Sequence, residues 1–376
     1  MNSKNWQKQW KKNWKLWAVS ALMATMLAGR AVGSMVRSNQ RAAATAQGTT
    51  AAMANQTETD AASDQPTAVP KTLTIAAQFD QVHPFSEGLA GVNMNGKWGY
   101  VDKSGQQVIK PQYDDVGDFV DGVAWVEIDG KFGYIDTHGK LVIEPQFAHA
   151  QNFSDGLAAV QLDQTWGYID PTGKMIIEPQ YKFADPFAEG LALVEQAERW
   201  GYIDKQGQPL SEVQFDGGWD FSDGLAWVIQ GQQRGYVDTT GQVVIEAQFD
   251  QARDFAEGLA PVQVSNKWGY IDPTGKTVVS PQFTGAAPFA EGLAAVEVDK
   301  KWGYIDTSGK MVIEPQFESA EPFHEKLAEI ELNGQAGYIN HEGNVVIPPQ
   351  FDRAGYFSEG LAAVQVDGKW GFIAES

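Results

Sequence analysis

The chain of 376 residues contains no cysteine and only five histidines. Without cysteine the chain has no disulfide framework, no thiolate metal site and no cysteine nucleophile. The histidines form neither an H-x-x-x-H nor an H-E-x-x-H motif, and the sequence contains no G-x-S-x-G, P-loop or dinucleotide-binding motif. We therefore expect a protein that is not an enzyme, with no catalytic residue, metal site or cofactor.

Basic residues are scarce in the larger part of the chain. Residues 71–376 carry 20 Lys/Arg against 45 Asp/Glu, whereas residues 1–70 carry eight against three. A surface this acidic repels phosphate backbones, because nucleic-acid binding requires a basic stripe that releases counterions. Nucleic acid is therefore excluded as an expected partner. The hydrophobic content of 43% is sufficient for a packed core.

The N-terminal 36 residues have the pattern of an export signal. Five lysines lie among residues 4–15, and an uncharged apolar run follows at 16–29. That order is typical of a signal peptide, although the small-residue pattern after the run is a poor cleavage site. Fourteen residues are short for a membrane span, which takes roughly 20. Residues 1–36 are thus predicted to be a signal peptide or, if uncleaved, an N-terminal anchor that holds the chain at the inner membrane through residues 16–36.

Residues 37–70 are rich in Ala, Thr, Gln, Ser and Asp and show no aliphatic periodicity. Such a segment cannot bury enough apolar surface to offset its ordering entropy. It is predicted to be a disordered linker. The export signal that precedes it predicts that the protein reaches the periplasm, the cell envelope or the medium.

The remainder of the chain repeats with a fixed period of 34 residues, the spacing from Gly99 to Gly133. Residues 71–376 accommodate nine copies without insertion or deletion, and a phenylalanine column from Phe85 to Phe357 keeps the same spacing. A glycine marks every copy: Gly99, Gly133, Gly167, Gly201, Gly235, Gly269, Gly303, Gly337 and Gly371.

The repeat is predicted to be β-structure, although its period equals the length of a helical tetratricopeptide unit, about 34 residues. In a typical unit, glycine or proline interrupts short β-branched and aromatic runs every six to eight residues. Those residues cost a helix about 1 kcal/mol per glycine and 3 kcal/mol per interior proline. Three strands per unit are predicted, followed by a longer loop. In the copy that begins at Leu293 the strands are expected at 293–298, 301–306 and 310–315.

Turn sequences support the strand assignment. Asn-Gly or Asp-Gly joins the first two strands in four copies, as type I′ hairpins require. Asp-x-x-Gly, in the pattern of a type I turn, joins the second and third strands.

The repeat resembles the WG β-repeat (KWG-type) family of bacterial proteins over residues 71–376. The resemblance rests on D-x-x-G, E-P-Q-F and F-x-E-G-L-A motifs and on a Trp-Gly pair in six copies. Departures are Phe132, Arg234 and Ala336 in place of Trp, Lys326 in place of a glycine and Asn340 in place of the turn Asp. The resemblance implies a β-rich repeat protein that is often exported, and it implies no reaction.

Two architectures are compatible with nine tandem units. An open β-solenoid or superhelix is favoured, because nine units exceed the usual four to eight blades of a propeller and each unit is short for four strands. The alternative is a closed, propeller-like ring. The chain begins with a third strand and ends after a second strand, so that the two ends are complementary halves of one unit. Ladder contact between Ile75 and residues 370–373 would establish the ring.

The tryptophan column is the candidate ligand-binding surface. Because Arg234 and Ala336 occur in it, the column is expected to be half exposed, and its rings could stack on sugars or grip peptide side chains. The alternative is that each ring packs on the next repeat. The carboxylate columns are expected to cap turns rather than to bind calcium. The ligand-binding candidates are Trp98, Trp166, Trp200, Trp268, Trp302 and Trp370, with Trp125 and Trp227 from a second variable column.

The predicted function is an exported, non-catalytic repeat scaffold that binds a glycan or a protein partner at the cell envelope. A structural spacer without a specific ligand is the alternative, and an uncharacterised hydrolase is a weaker one. A contiguous and exposed tryptophan row would favour the scaffold over the spacer.

Overall fold

The computed structural model describes residues 71–211 and 214–375. The predicted signal peptide or anchor (1–36) and the linker (37–70) lie outside the described residues. All regular elements of the described part are β-strands. No helix in that part is long and apolar enough to cross a membrane.

The strands form nine antiparallel sheets, which we call blades 1 to 9 in chain order. Eight blades have four strands and blade 4 has three. The strand order is inner, second, third and outer, each paired with the one before it; the described residues of blade 4 give no outer strand, and the outer strand of blade 9 comes from the N-terminal end of the array. The inner strands of blades 1–8 are only a residue pair each, which is why so short a unit suffices for four strands and why sequence reasoning read this segment as a loop.

The four strand positions have these bounds. The inner strands are β2 (Gln81–Val82), β6 (Asp115–Val116), β10 (His149–Ala150), β14 (Phe183–Ala184), β17 (Gly217–Gly218), β21 (Gln251–Ala252), β25 (Gly285–Ala286), β29 (Ser319–Ala320) and β33 (Arg353–Ser358). The second strands are β3 (Leu89–Met94), β7 (Val123–Ile128), β11 (Ala158–Leu162), β15 (Leu191–Gln196), β18 (Leu225–Gln230), β22 (Ala260–Val264), β26 (Leu293–Val298), β30 (Ala328–Leu332) and β34 (Leu361–Val366). The third strands are β4 (Lys97–Asp102), β8 (Lys131–Asp136), β12 (Thr165–Ile169), β16 (Arg199–Asp204), β19 (Gln233–Asp238), β23 (Lys267–Ile271), β27 (Lys301–Asp306), β31 (Gln335–Ile339) and β35 (Lys369–Ala374). The outer strands are β5 (Gln107–Tyr113), β9 (Leu141–Phe147), β13 (Met175–Tyr181), β20 (Val243–Phe249), β24 (Thr277–Phe283), β28 (Met311–Phe317), β32 (Val345–Phe351) and, for blade 9, β1 (Ile75–Phe79).

Both predicted turns are present. Asn95 and Gly96, between β3 and β4, have φ values of 56° and 80°, the left-handed pair that a type I′ hairpin needs. At the next turn the Asp102 carboxylate accepts hydrogen bonds from the Ser104 amide at 2.9 Å and the Gln106 amide at 3.0 Å. The turn aspartates therefore cap backbone amides of their own turn.

The glycine of the Trp-Gly pair permits close approach of the outer strand. A Cβ built on Gly269 would lie 2.4 Å from the carbonyl oxygen of Val279, because the pairing of β23 with β24 shifts register beside it. No side chain fits there or at the equivalent glycine of seven of the other blades, and blade 4 with Gly201 is the exception among the described residues.

The prediction of an open solenoid or superhelix is wrong, because the chain closes into a ring. The N-terminal strand β1 pairs antiparallel with the C-terminal strand β35, with Ile75 opposite Phe372 and Phe79 opposite Trp370. The seam is extended by a hydrogen bond from the Ala374 amide to Thr74 Oγ1 at 2.9 Å. Closure buries Ile75 and Phe79 and pairs strand edges that an open form leaves exposed. The molecule is a nine-bladed β-propeller.

Neighbouring blades share their cores and are joined by hydrogen bonds. The core between blades 6 and 7 combines Trp268 and Tyr270 with Phe289 and Ile305. The Tyr270 hydroxyl also donates to the carbonyl of Ala287 in blade 7 at 2.7 Å. Because each blade buries its face on the next, the ring depends on all nine units.

A carboxylate column forms clamps between blades, rather than capping its own turn as expected. Each clamp carboxylate accepts a hydrogen bond from a backbone amide of the following blade, and Glu359 accepts from Gly88 across the seam at 3.0 Å. The other clamps are Glu87 to Gly122, Asp155 to Gly190, Glu189 to Gly224, Asp223 to Gly258, Glu257 to Gly292, Glu291 to Lys326 and Glu325 to Gly360.

Candidate functional site

The inner strands face the axis of the ring. The outer strands lie on the rim, where Val108 and Val142 are each 43% exposed. By contrast, Arg253 of blade 6 and Glu321 of blade 8 interact electrostatically although a whole blade separates them. Charges two blades apart approach each other in this way only near the axis.

We call the surface around the axis the channel wall. It consists of the two residues that follow each inner-strand pair, together with the residue of the second strand equivalent to Gly91. The combination of these three residues differs in all nine blades, whereas the glycine and phenylalanine columns do not vary. In blade order the wall residues are His83, Pro84, Gly91; Gly117, Asp118, Trp125; Gln151, Asn152, Ala159; Asp185, Pro186, Leu193; Trp219, Asp220, Trp227; Arg253, Asp254, Pro261; Ala287, Pro288, Ala295; Glu321, Pro322, Glu329; and Gly355, Tyr356, Ala363.

Three aspartates of the wall, one from each of blades 4, 5 and 6, interact with one another. Burial raises the pKa of Asp220 to about 7, and the charge of Asp254 contributes to the rise. Burial also raises the pKa of Asp254 to about 6, while a hydrogen bond from Trp227 and the charge of Arg253 oppose the rise. The pKa of Asp185 is raised well above its ordinary value by burial and by Asp220. The three carboxylates thus share one poorly solvated region.

A second acidic group lies in blade 8. Burial raises the pKa of Glu321 to about 7, against the opposing charge of Arg253. Burial raises the pKa of Glu329 to about 8, and the charges of Glu321 and Glu331 contribute to the rise. Arg253 lies with its guanidinium carbon 5.1 Å from the ring centroid of Trp268. The wall of blades 4 to 8 is therefore acidic around a single arginine.

Trp219 is the exposed aromatic residue of the wall, with 38% of its surface accessible. Its ring stacks on Trp227 with a centroid separation of 5.7 Å and an interplanar angle of 9°. Trp227 in turn lies beside Asp254 and acts to lower the pKa of its carboxyl group. The Tyr202 hydroxyl fixes the backbone by donating to the Trp219 carbonyl at 2.7 Å. We call Trp219, Trp227, Asp220 and Asp254 the Trp219 site.

The wall of blades 1 and 2 carries a different group. His83 Nδ1 lies 3.0 Å from Asp118 Oδ1. Burial lowers the pKa of His83, but the hydrogen bond and charge of Asp118 and the charge of Asp115 produce a net rise. The His83 ring also packs on Trp98 at a centroid distance of 4.7 Å.

The tryptophan column is more buried than the sequence indicated. Trp98, Trp166 and Trp268 are only 4%, 7% and 9% exposed, whereas Trp200, Trp302 and Trp370 are partly exposed. In the second variable column, Trp125 is buried and Trp227 is partly exposed.

The expectation of a half-exposed row therefore holds for only some of its members. The expectation assumed that an arginine in this column has to be exposed. The Arg234 guanidinium instead has partners in the structure, because Nη1 donates to the carbonyls of Gln232 at 3.0 Å and Asp250 at 2.8 Å. A ligand-binding role for the eight tryptophans remains a prediction.

Sequence reasoning missed Trp219, Asp220 and Asp254. The available signal was variability between the copies, since the position of Trp219 holds no other aromatic ring except His83, and that of Asp220 holds Pro, Asp, Asn or Tyr in the other blades. Within residues 71–211 and 214–375, no group of three or more histidine or acidic side chains is arranged to hold a metal ion.

Comparison with solved structures identifies the fold. A crystal structure of a eukaryotic initiation factor matches with a TM-score of 0.53 and 13% identity, over 73% of this chain and 89% of that chain. The extracellular domain of a one-component system from B. thetaiotaomicron matches with a TM-score of 0.34 and 10% identity, over 79% of this chain and 53% of that chain. PorZ, a surface component of the type-IX secretion system of Porphyromonas gingivalis, matches with a TM-score of 0.32 and 10% identity, over 81% of this chain and 46% of that chain.

No curated protein matches the chain. The pattern of the WG containing repeat matches nine segments: 72–98, 98–132, 132–166, 166–199, 200–232, 235–268, 268–302, 302–335 and 337–370. These segments cover most of the chain, and each joins the outer segment of one blade to the inner and second strands of the next. The protein therefore belongs to the family of WG containing repeat proteins.

Proposed function

We propose that the protein is an exported, non-catalytic binding scaffold that engages a protein or glycan partner at the cell envelope through its channel wall. The observation that carries the proposal is the contrast between the invariant frame and the variable wall. Positions that build the blades repeat, while the wall differs in every blade. Nine copies under the same folding constraints would not need nine different walls if the ring only filled space.

The chemistry of the wall is suited to binding. An exposed tryptophan beside carboxylates offers both a stacking surface and hydrogen-bond acceptors. Burial of the carboxylates keeps them poorly solvated, so that a ligand can replace missing water contacts. A binding role for the wall also explains why poorly solvated carboxylates are retained there at a cost in solvation.

Export is supported by the lysines and apolar run within residues 1–36. N-terminal sequencing of the mature protein tests it, because cleavage after residue 29 or retention in the membrane fraction is expected. An intact chain recovered in the cytosol would contradict export.

The scaffold role is tested with the full chain on a glycan array and in pull-downs from an envelope fraction. A wall variant carries Trp219→Ala, Asp220→Asn and Glu321→Gln. A rim variant carries Glu246→Gln and Glu314→Gln, which remove the same charge from exposed outer-strand positions. We expect a glycan or protein that the wild type and the rim variant retain and the wall variant loses.

Two results would overturn that expectation. Retention of the same partners by the wall and rim variants would place binding elsewhere, and a Trp302→Ala variant then tests the tryptophan column. Absence of any retained partner would favour the spacer.

A further inference from the structure

The Trp219 site contains hydrogen-bond acceptors that the fold does not satisfy. Asp220 Oδ1 and Asp254 Oδ1 are buried and have no hydrogen-bond partner within residues 71–211 and 214–375. Buried polar atoms in native proteins are nearly always paired, so an unpaired acceptor calls for a donor from outside the fold. Carboxylate oxygens only accept hydrogen bonds when ionised, so the missing group has to be a donor.

The electrostatics of the site favour a positively charged donor. When ionised, Asp220 repels Asp185 on one side and Asp254 on the other. The nearby cation of the wall, Arg253, is placed against the Trp268 ring and is shared with Glu321. A neutral donor would leave that repulsion in place, whereas a cation would relieve it.

The exposed ring adds a second recognition element. One face of Trp219 is covered by Trp227, which holds the ring in place, while 38% of the residue remains accessible. Tryptophan is the best aromatic partner for a cation, and a guanidinium can combine stacking with paired hydrogen bonds to a carboxylate.

We propose that the Trp219 site binds an organic cation, the guanidinium or ammonium group of a peptide side chain, on Trp219 and against Asp220 and Asp254. The proposal rests on the proposed function and specifies the ligand chemistry of the channel wall. The titratable groups that also face the carboxylates are Tyr168, Tyr202, Tyr236 and Arg253.

The test uses the full chain and an acetylated, amidated Gly-Arg-Gly peptide followed by isothermal titration calorimetry. The matched control peptide carries citrulline, which has the shape of arginine without its charge. Free agmatine distinguishes a small amine from a peptide side chain, and a chito-oligosaccharide represents a neutral glycan. We expect the arginine peptide to bind at least tenfold more tightly than the citrulline peptide and the oligosaccharide, and more tightly than agmatine.

Protein variants locate the binding. Asp220→Asn and Trp219→Ala are each expected to weaken the arginine peptide at least tenfold, and Trp219→Phe is expected to weaken it less. Glu246→Gln removes one charge from the rim of the same blade and is expected to leave the affinity unchanged. Both variants are expected to fold, because Trp219 is exposed and Asp220→Asn is nearly isosteric. Thermal melts check that they do.

The pH dependence of arginine-peptide binding gives an independent test. Since binding requires ionised carboxylates, the arginine peptide should bind more tightly at pH 8 than at pH 5.5, and Asp220→Asn should flatten that dependence.

Two outcomes would overturn the cation proposal. They are equal binding of the arginine and citrulline peptides, and equal effects of Asp220→Asn and Glu246→Gln. Neither outcome depends on the partner screen. If the wall variant still loses a partner in the pull-down, the scaffold stands and only the ligand class is wrong. An oligosaccharide that binds and is lost with Trp219→Ala would identify that class as a glycan.

Discussion

Blades 4 and 9 solve the problem of the outer strand in opposite ways. Blade 9 takes its outer strand from the other end of the chain, yet that strand docks so closely that a Cβ on Gly371 would lie 2.5 Å from the Ile75 carbonyl oxygen. Blade 4 has the corresponding segment in its own chain, but the described residues of that segment, 208–211 and 214–215, form two single bridges, Ile203 to Pro209 and Trp200 to Phe215, and no regular strand. A Cβ on Gly201 would meet nothing within 4 Å.

One column of the sequence distinguishes the two blades. Seven blades of continuous chain and the N-terminal strand have Ile or Val where Ile75 stands, and blade 4 has Ser211. In blade 4 the Leu210 amide donates to the Tyr202 carbonyl at 2.8 Å, and the two bridges keep the register that the same positions have in blade 6. Continuity of the chain alone therefore does not produce a regular outer strand. We infer that the buried aliphatic residue favours one.

The largest effect is expected from charging that column. Ile75→Asp buries an unpaired carboxylate at a position only 4% exposed, and it should cost about 3–5 kcal/mol of unfolding free energy. Ser211→Asp, at the equivalent position of blade 4, should cost less than about 1 kcal/mol. Urea unfolding of the two variants measures the contrast. Equal losses would show that the two outer segments are anchored alike.

A smaller effect is expected from adding one methyl group. Gly371→Ala places its Cβ against the Ile75 carbonyl and should destabilise the ring by about 1–3 kcal/mol, as overpacking does. Gly201→Ala, in open space, should change stability by no more than about 0.5 kcal/mol. Thermal melts compare the two. A destabilised Gly201→Ala variant would mean that this glycine has a role apart from the approach of the outer strand.

Grafting an outer-strand sequence into blade 4 should remove its difference from blade 9. Replacing residues 208–215 with KMVIEPQF, the sequence of residues 310–317, restores the aliphatic residue in blade 4 and should stabilise the ring by about 1–2 kcal/mol. In the grafted protein Gly201→Ala should become as harmful as Gly371→Ala. If the graft leaves Gly201→Ala harmless, the outer strand has not formed.

The smallest effect concerns an exposed ion pair. The Asp80 carboxylate accepts hydrogen bonds from Lys369 across the seam and from the Asn95 amide, and these lower its pKa. Because the pKa falls on folding, this stabilisation is present at neutral pH and is lost as the pH falls below about 4. Asp80→Asn should lower the melting temperature slightly at pH 7 and not at pH 2.5. Asp216→Asn removes the matching hydrogen bonds from Arg199 of blade 4 and from the Gly231 amide. It should lower the melting temperature at pH 7 less than Asp80→Asn does, and a larger decrease would reverse the comparison.

The strand content and turns could be predicted from the sequence because they follow from local chemistry. The hairpin Asn95-Gly96 and the strands 293–298 and 301–306 are where the sequence placed them. Ring closure was predicted only as the alternative to the favoured open form. It depends on pairing between distant segments, and the short inner strands have no sequence pattern that distinguishes them from a loop.

The candidate site was harder to predict than the fold. Trp227 was named from the sequence, but Trp219 and the two aspartates were not. The pKa shift of Asp220 comes from burial near the axis and from Asp254 of the next blade. Neither cause can be read from the residues flanking Asp220, because both arise when the blades assemble.

The seam between β1 and β35 also sets an order of events during folding. Its contacts join residues 300 positions apart, as between Thr74 and Ala374, while every other blade pairs segments adjacent in the chain. Bringing such distant ends together costs about 5 kcal/mol of chain entropy, and contacts of this kind form slowly. Blades 1 to 8 can therefore assemble during synthesis, but Ile75 and Phe79 stay exposed until residues 369–374 have been made. The aggregation risk of the chain is greatest in that interval, and the seam is its last folding step.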